Sequence, residues 1–72
     1  MKMNEVIKHI RINLGLSQTA FAEKLHVSFS TVNRWENSRV IPNRLAINAI
    51  ISIAEENNIE VNLIEYLKNQ SM

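Results

Sequence analysis

The 72-residue sequence contains no cysteine, no aspartate, one glycine and one proline. Without cysteine there is no disulfide to brace so small a chain and no thiolate site for zinc. With so few turn formers, an all-β fold built from hairpins is disfavoured. The lone glycine also leaves out a glycine-rich phosphate loop. No apolar run is long enough to span a bilayer. The start, MKMNEVIKHIR, is amphipathic and does not read as a signal peptide, so a cytoplasmic protein is expected.

Little in the chain resembles catalytic machinery. His9 and His26 lack an acid placed to suggest a triad or a metal site, and both read as surface or boundary residues. Glu55 and Glu56 read as the solvated end of a helix, and Trp35 and Tyr66 as core aromatics. We therefore expect no enzyme, no metal and no cofactor.

The net charge of +1 conceals an asymmetry. Residues 1 to 44 carry seven Lys or Arg against three Glu, and residues 45 to 72 carry one Lys against four Glu. A basic first half suits contact with phosphates, and an acidic second half suits a surface turned away from them.

Leu, Ile, Ala and Asn are common and helical periodicity recurs, which predicts an all-α fold: a bundle of five short helices forming a single domain over 1–72. The first helix spans about Asn4 to Asn13, with Asn4 as its cap and Val6, Ile7, Ile10 and Leu14 as its apolar stripe. Gly15 stops it, because a positive φ costs least at glycine. Ser17 caps a second helix that ends near Leu25, His26 and Val27 make a turn, and Ser28 caps a third that runs to Glu36 or Asn37. Ala20, Phe21, Leu25, Val27, Val32 and Trp35 are spaced to face one core. Gln18, Phe29, Ser30, Asn33, Arg34 and Asn37 are spaced to face away from it. An outward helix face that is polar and free of acid suits the major groove of DNA. A fourth helix runs from near Asn43 to Glu56 with Leu45, Ala46, Ala49, Ile50, Ile53 and Ala54 inward. A fifth covers about 62–68, with Asn62 and Glu65 as a capping box, and the last few residues are expected to fray.

The segment IRINLGLSQTAFAEKLHVSFSTVNRWENS resembles the helix-turn-helix of the Cro and C1 phage repressor family, also called the xenobiotic-response-element family. The resemblance extends from about Ile7 to Ala54. It is carried by Arg11, the LGLSQ run, FAEKL, VS before STV, and WEN at Trp35 to Asn37. Two positions depart from it: His26 and Ser38 stand where the family usually has glycine.

The resemblance implies a lambda repressor-like DNA-binding domain, with the helix-turn-helix at 17–37 and the third helix entering the major groove N-terminus first. Ser28, Phe29, Ser30 and Arg34 then lie nearest the bases, with Thr31 and Asn33 at the margins. Arg34 can donate two bonds to a guanine, and the ring of Phe29 can pack on a thymine methyl. The alternative for Phe29 is packing beside Phe21. Gln18, Asn37, Arg39 and Arg44 are expected at phosphates, while Arg11 and Glu36 are implied to be a structural ion pair.

The expected function is sequence-specific binding of double-stranded DNA by a small regulator, a repressor acting as a homodimer at least on DNA. The alternative is an antitoxin-like or adaptor module that uses the same fold to bind protein. Val61, Ile64, Tyr66 and Leu67 in the fifth helix are the expected dimer contact, against packing of that helix within its own chain.

Overall fold

The computed structural model describes residues 1–70. Five helices follow one another: α1 Met3–Asn13, α2 Gln18–Leu25, α3 Phe29–Glu36, α4 Arg44–Glu56 and α5 Val61–Gln70. No strand occurs among the described residues, and the all-α expectation holds.

Three helices begin as their capping residues dictate. The Ser17 hydroxyl accepts from the Ala20 amide at 3.0 Å, the Ser28 hydroxyl from Thr31 at 3.1 Å, and the Asn43 side chain from Ala46 at 2.8 Å. Each satisfies an amide that the first helical turn leaves without a partner. α1 starts one residue before Asn4, on Lys2, whose amide donates to the Glu5 carboxylate at 3.0 Å. Asn4 is thus inside the helix rather than its cap. α5 likewise starts before Asn62. The carbonyl of Glu60 accepts from the Leu63 and Ile64 amides, so the box of Asn62 and Glu65 does not form the start. Part of the expected fraying falls on 71 and 72, outside the described residues.

The helix ends share one device. After each of the first four helices stands a residue in the left-handed region: Gly15 at φ 73°, His26 at 59°, Ser38 at 59° and Asn58 at 56°. The next amide in each case reaches back five residues: Leu16 to the Arg11 carbonyl, Val27 to Ala22, Arg39 to Arg34 and Ile59 to Ala54. This is the Schellman closure, which normally uses glycine at the left-handed position. Here glycine serves once and L-residues serve three times.

The core is continuous through the bundle. Val6, Ile7 and Ile10 of α1 meet Phe21, Ala22 and Leu25 of α2, Val32 and Trp35 of α3, and the inner faces of α4 and α5. α3 lies against α1 and α2, and α5 against α1 and α4. Ala22, not Ala20, is the small buried residue of α2, while Leu14 and Val27 are only partly covered.

The inner face of α4 differs from the expectation. Ile47, Ile50, Ile51 and Ala54 are buried, Ala46, Ala49 and Ile53 only partly, and Leu45 is 79 % exposed. α4 is apolar around more than half its circumference, so period alone fits two adjacent stripes equally well. Packing against α5 and α2 selects one of them. In α5, Leu63, Ile64 and Leu67 are buried in their own chain and Tyr66 is half-buried against the same core, leaving Val61 outside. Ile64 and Leu67 are therefore core residues and are not available to a second copy.

An L-residue in the left-handed region carries a conformational cost that glycine does not. His26→Gly and Ser38→Gly are each expected to stabilise the fold by about 0.5–1 kcal/mol, read as a rise of a few degrees in Tm. Gly15→Ala is expected to lose about 1 kcal/mol from backbone strain alone, because a Cβ there would meet nothing within 4 Å. Thermal melts of the three variants check both signs.

Candidate nucleic-acid interface

α2 and α3, joined through His26, Val27 and Ser28, form the unit that presents the outward face. Val32 and Trp35 are buried, which fixes the rotation of α3 and turns Ser30 and Arg34 to solvent. Phe29, Ser30, Asn33, Arg34, Asn37 and Arg39 line one shallow groove of about 360 Å³. Four residues expected at bases and two expected at phosphates thus share a single surface. Thr31 turns the other way, onto an apolar groove with Leu25, Val27 and Trp35.

A chain of hydrogen bonds holds α3 from behind. Arg11 of α1 grips Glu36 with two parallel bonds, Nε to Oε2 at 2.7 Å and Nη2 to Oε1 at 3.0 Å. Its remaining terminal nitrogen, Nη1, donates to the Leu16 carbonyl at 2.9 Å. The two side chains are 13 % and 4 % exposed. The fork geometry of guanidinium on carboxylate is the strong form of such a pair. It also withdraws the only acid of α3 from the outward face.

The chain continues to the surface. Gln18 Nε2 donates to Glu36 Oε1 at 3.0 Å, and Gln18 Oε1 accepts from Asn33 Nδ2 at 3.2 Å. Asn37 Nδ2 donates to the Asn33 carbonyl at 2.8 Å and to Asn33 Oδ1 at 3.2 Å. Gln18, Asn33 and Asn37, all expected to contact a ligand, are therefore already engaged with one another. Ser28 is engaged too: besides capping α3, its hydroxyl lies 2.9 Å from that of Thr31.

Among the described residues, Ser30 and Arg34 keep exposed side chains with no hydrogen-bond partner. Arg39 is exposed beside them, and Arg44 is exposed at the first turn of α4, away from this groove. Phe29 is 50 % exposed and lies outside the buried cluster, so it does not pack beside Phe21.

The face therefore combines a free guanidinium, a free hydroxyl, a half-bare phenyl ring and no acid, on a helix braced by a buried ion pair. A profile of the helix-turn-helix family matches residues 7–60, three quarters of the chain. The chain belongs to the Cro/C1-type helix-turn-helix family. Membership makes it a DNA-binding module of transcriptional regulation. Over 50 residues it is 32 % identical to the HTH-type transcriptional activator BcrR of Enterococcus faecalis, a match covering 69 % of this chain and 24 % of that protein. The aligned stretch thus spans about a quarter of that relative's length. No solved structure matches the chain. No helix among the described residues is long and apolar enough to cross a membrane.

Sequence reasoning missed a second surface. Val40, Ile41 and Leu45 are exposed hydrophobics at the α3–α4 connection and the start of α4. With Leu25, Val27 and Trp35 they line an apolar groove of about 550 Å³. The available signal was the pair Val40–Ile41 ahead of Pro42, an apolar doublet in a loop.

Because the Arg11–Glu36 pair is largely buried, removing one partner strands the other. Arg11→Met is expected to cost about 3 kcal/mol, and the double variant with Glu36→Met less than the sum of the two single changes. Urea denaturation of the four proteins measures this. A cost below about 1 kcal/mol for Arg11→Met would mean that the pair behaves as an exposed one.

Proposed function

We propose that this protein is a sequence-specific, cytoplasmic repressor that binds double-stranded DNA as a homodimer and reads the major groove with α3. The observation that carries the reading is the outward face of α3, where Arg34 and Ser30 are unengaged and no carboxylate is presented. Arg34 is the direct reader of a guanine through O6 and N7, and Ser30 donates to or accepts from its neighbour. Arg39 and Arg44 supply phosphate contacts, aided by Gln18 at the start of α2, where unpaired amides favour an anion. Ser28 and Thr31 hold the N-terminal turn of α3 in shape. Asn33 and Asn37 act from the groove margin.

Repression requires nothing of the chain beyond occupying its site. The BcrR relative is named an activator, but the match spans too little of it to carry the sign of regulation across. In a two-fold dimer the half-sites lie about 34 Å apart, one helical turn.

One observation favours a second reading, that of an antitoxin-like or adaptor module. Val40, Ile41 and Leu45 form an exposed apolar patch of the kind that marks protein contact sites. The patch lies beside the α3 groove rather than on it, so a protein contact there is compatible with DNA binding.

Selection of duplexes from a random library, with wild type and Arg34→Ala in parallel, tests the proposal. Wild type is expected to enrich a two-fold motif, and the variant to relax one guanine position at a cost of about 1–3 kcal/mol. Weak, salt-sensitive binding without enrichment would remove the repressor reading and leave the protein-binding one.

A further inference from the structure

Phe29 is the only aromatic on the outward face of α3. Phe21 and Trp35 are buried, and Tyr66 lies on α5. Its ring stands at the first residue of the helix, half in water, in the same groove as Ser30, Arg34 and Arg39. Leaving a phenyl group so placed forgoes the stabilisation that burial would give it. The position nearest the DNA bases in the proposed docking thus carries a side chain without a hydrogen bond to offer.

We propose that Phe29 reads the C5-methyl group of a pyrimidine in the major groove; the inference rests on the α3 reading above. That methyl is the apolar group that a base edge presents there. The polar side chains around Phe29 narrow the choice further. Ser28 and Thr31 are engaged in the cap, and Asn33 is engaged with Gln18 and Asn37. At the leading end of α3, apolar contact by Phe29 then acts beside the one free hydroxyl there, that of Ser30. Thymine and 5-methylcytosine carry the methyl at the same ring position, while cytosine and uracil lack it.

Phe29 and Arg34 are five residues apart on α3, so in the proposed docking they reach different bases of one half-site. Where the base under Phe29 is a cytosine, its methylation would raise occupancy of the site.

The test uses the full chain and the duplex that it enriches from the random library, titrated by fluorescence anisotropy at fixed salt. Each thymine is replaced in turn by uracil, which removes only the methyl. At one thymine per half-site the affinity is expected to fall about fourfold, the factor for one buried methyl group. Phe29→Ala is expected to bind the thymine and uracil duplexes equally, and Phe29→Leu to keep part of the difference.

Cytosine and 5-methylcytosine are then compared at the same position. A similar gain on methylation extends the reading to both bases, and no gain assigns it to thymine alone. The proposal is overturned if no uracil weakens wild-type binding, or if the weakening persists in Phe29→Ala. The wild-type comparison needs no variant, so a folding defect cannot mask the result. Failure to enrich any duplex is a separate outcome that removes the α3 reading itself.

Discussion

The fork between Arg11 and Glu36 is the contact on which the outward surface depends. It joins α1 to the last residue of α3 across 25 positions of sequence. Taking both charges largely out of water is costly, and the cost is offset only because every partner is in place. Glu36 receives Gln18 as well as Arg11, and Arg11 also donates to a carbonyl in the α1–α2 connection. A single pair thus links three helices and one turn. It fixes where α3 ends, while Val32 and Trp35 fix how it is rotated.

The cationic character of the interface follows from the same contact. Without Arg11, the carboxylate of Glu36 would stand beside Asn33 and Asn37 and oppose any phosphate brought near. With it, the local field is set by Arg34 and Arg39. The acidic residues of α4 and α5 lie in the other half of the chain, so the asymmetry seen in the sequence becomes an asymmetry between parts of the fold.

Features governed by near neighbours were legible in the sequence. Ser17, Ser28 and Asn43 cap because their oxygens reach amides three residues on, and a short polar residue ahead of an apolar pattern is a local signal. Gly15 was readable for the same reason, and His26 and Ser38 stood out against the family pattern. Leu45 was misplaced because α4 is apolar on two adjacent stripes, and tertiary packing alone chooses between them. Asn62 was misjudged as a cap because Glu60 supplies the first carbonyl of α5. The ion pair has no local signature and was visible only through the family resemblance. The bond between Gln18 and Asn33 had no sequence signal, since it depends on the angle between α2 and α3, whereas Asn37 reaches Asn33 by a local contact four residues apart.

That hydrogen-bonded row bears on the entropy of recognition. Ordering a flexible side chain at an interface costs about 0.5–1.5 kcal/mol. Gln18, Asn33, Asn37, Arg11 and Glu36 have surrendered much of that freedom in the unbound protein, where their rotamers are set by one another. A ligand arriving at α3 meets a surface whose margins are already rigid. The freedom still to be lost is concentrated in Arg34 and Arg39, which makes those two long side chains the adjustable part of an otherwise preformed surface.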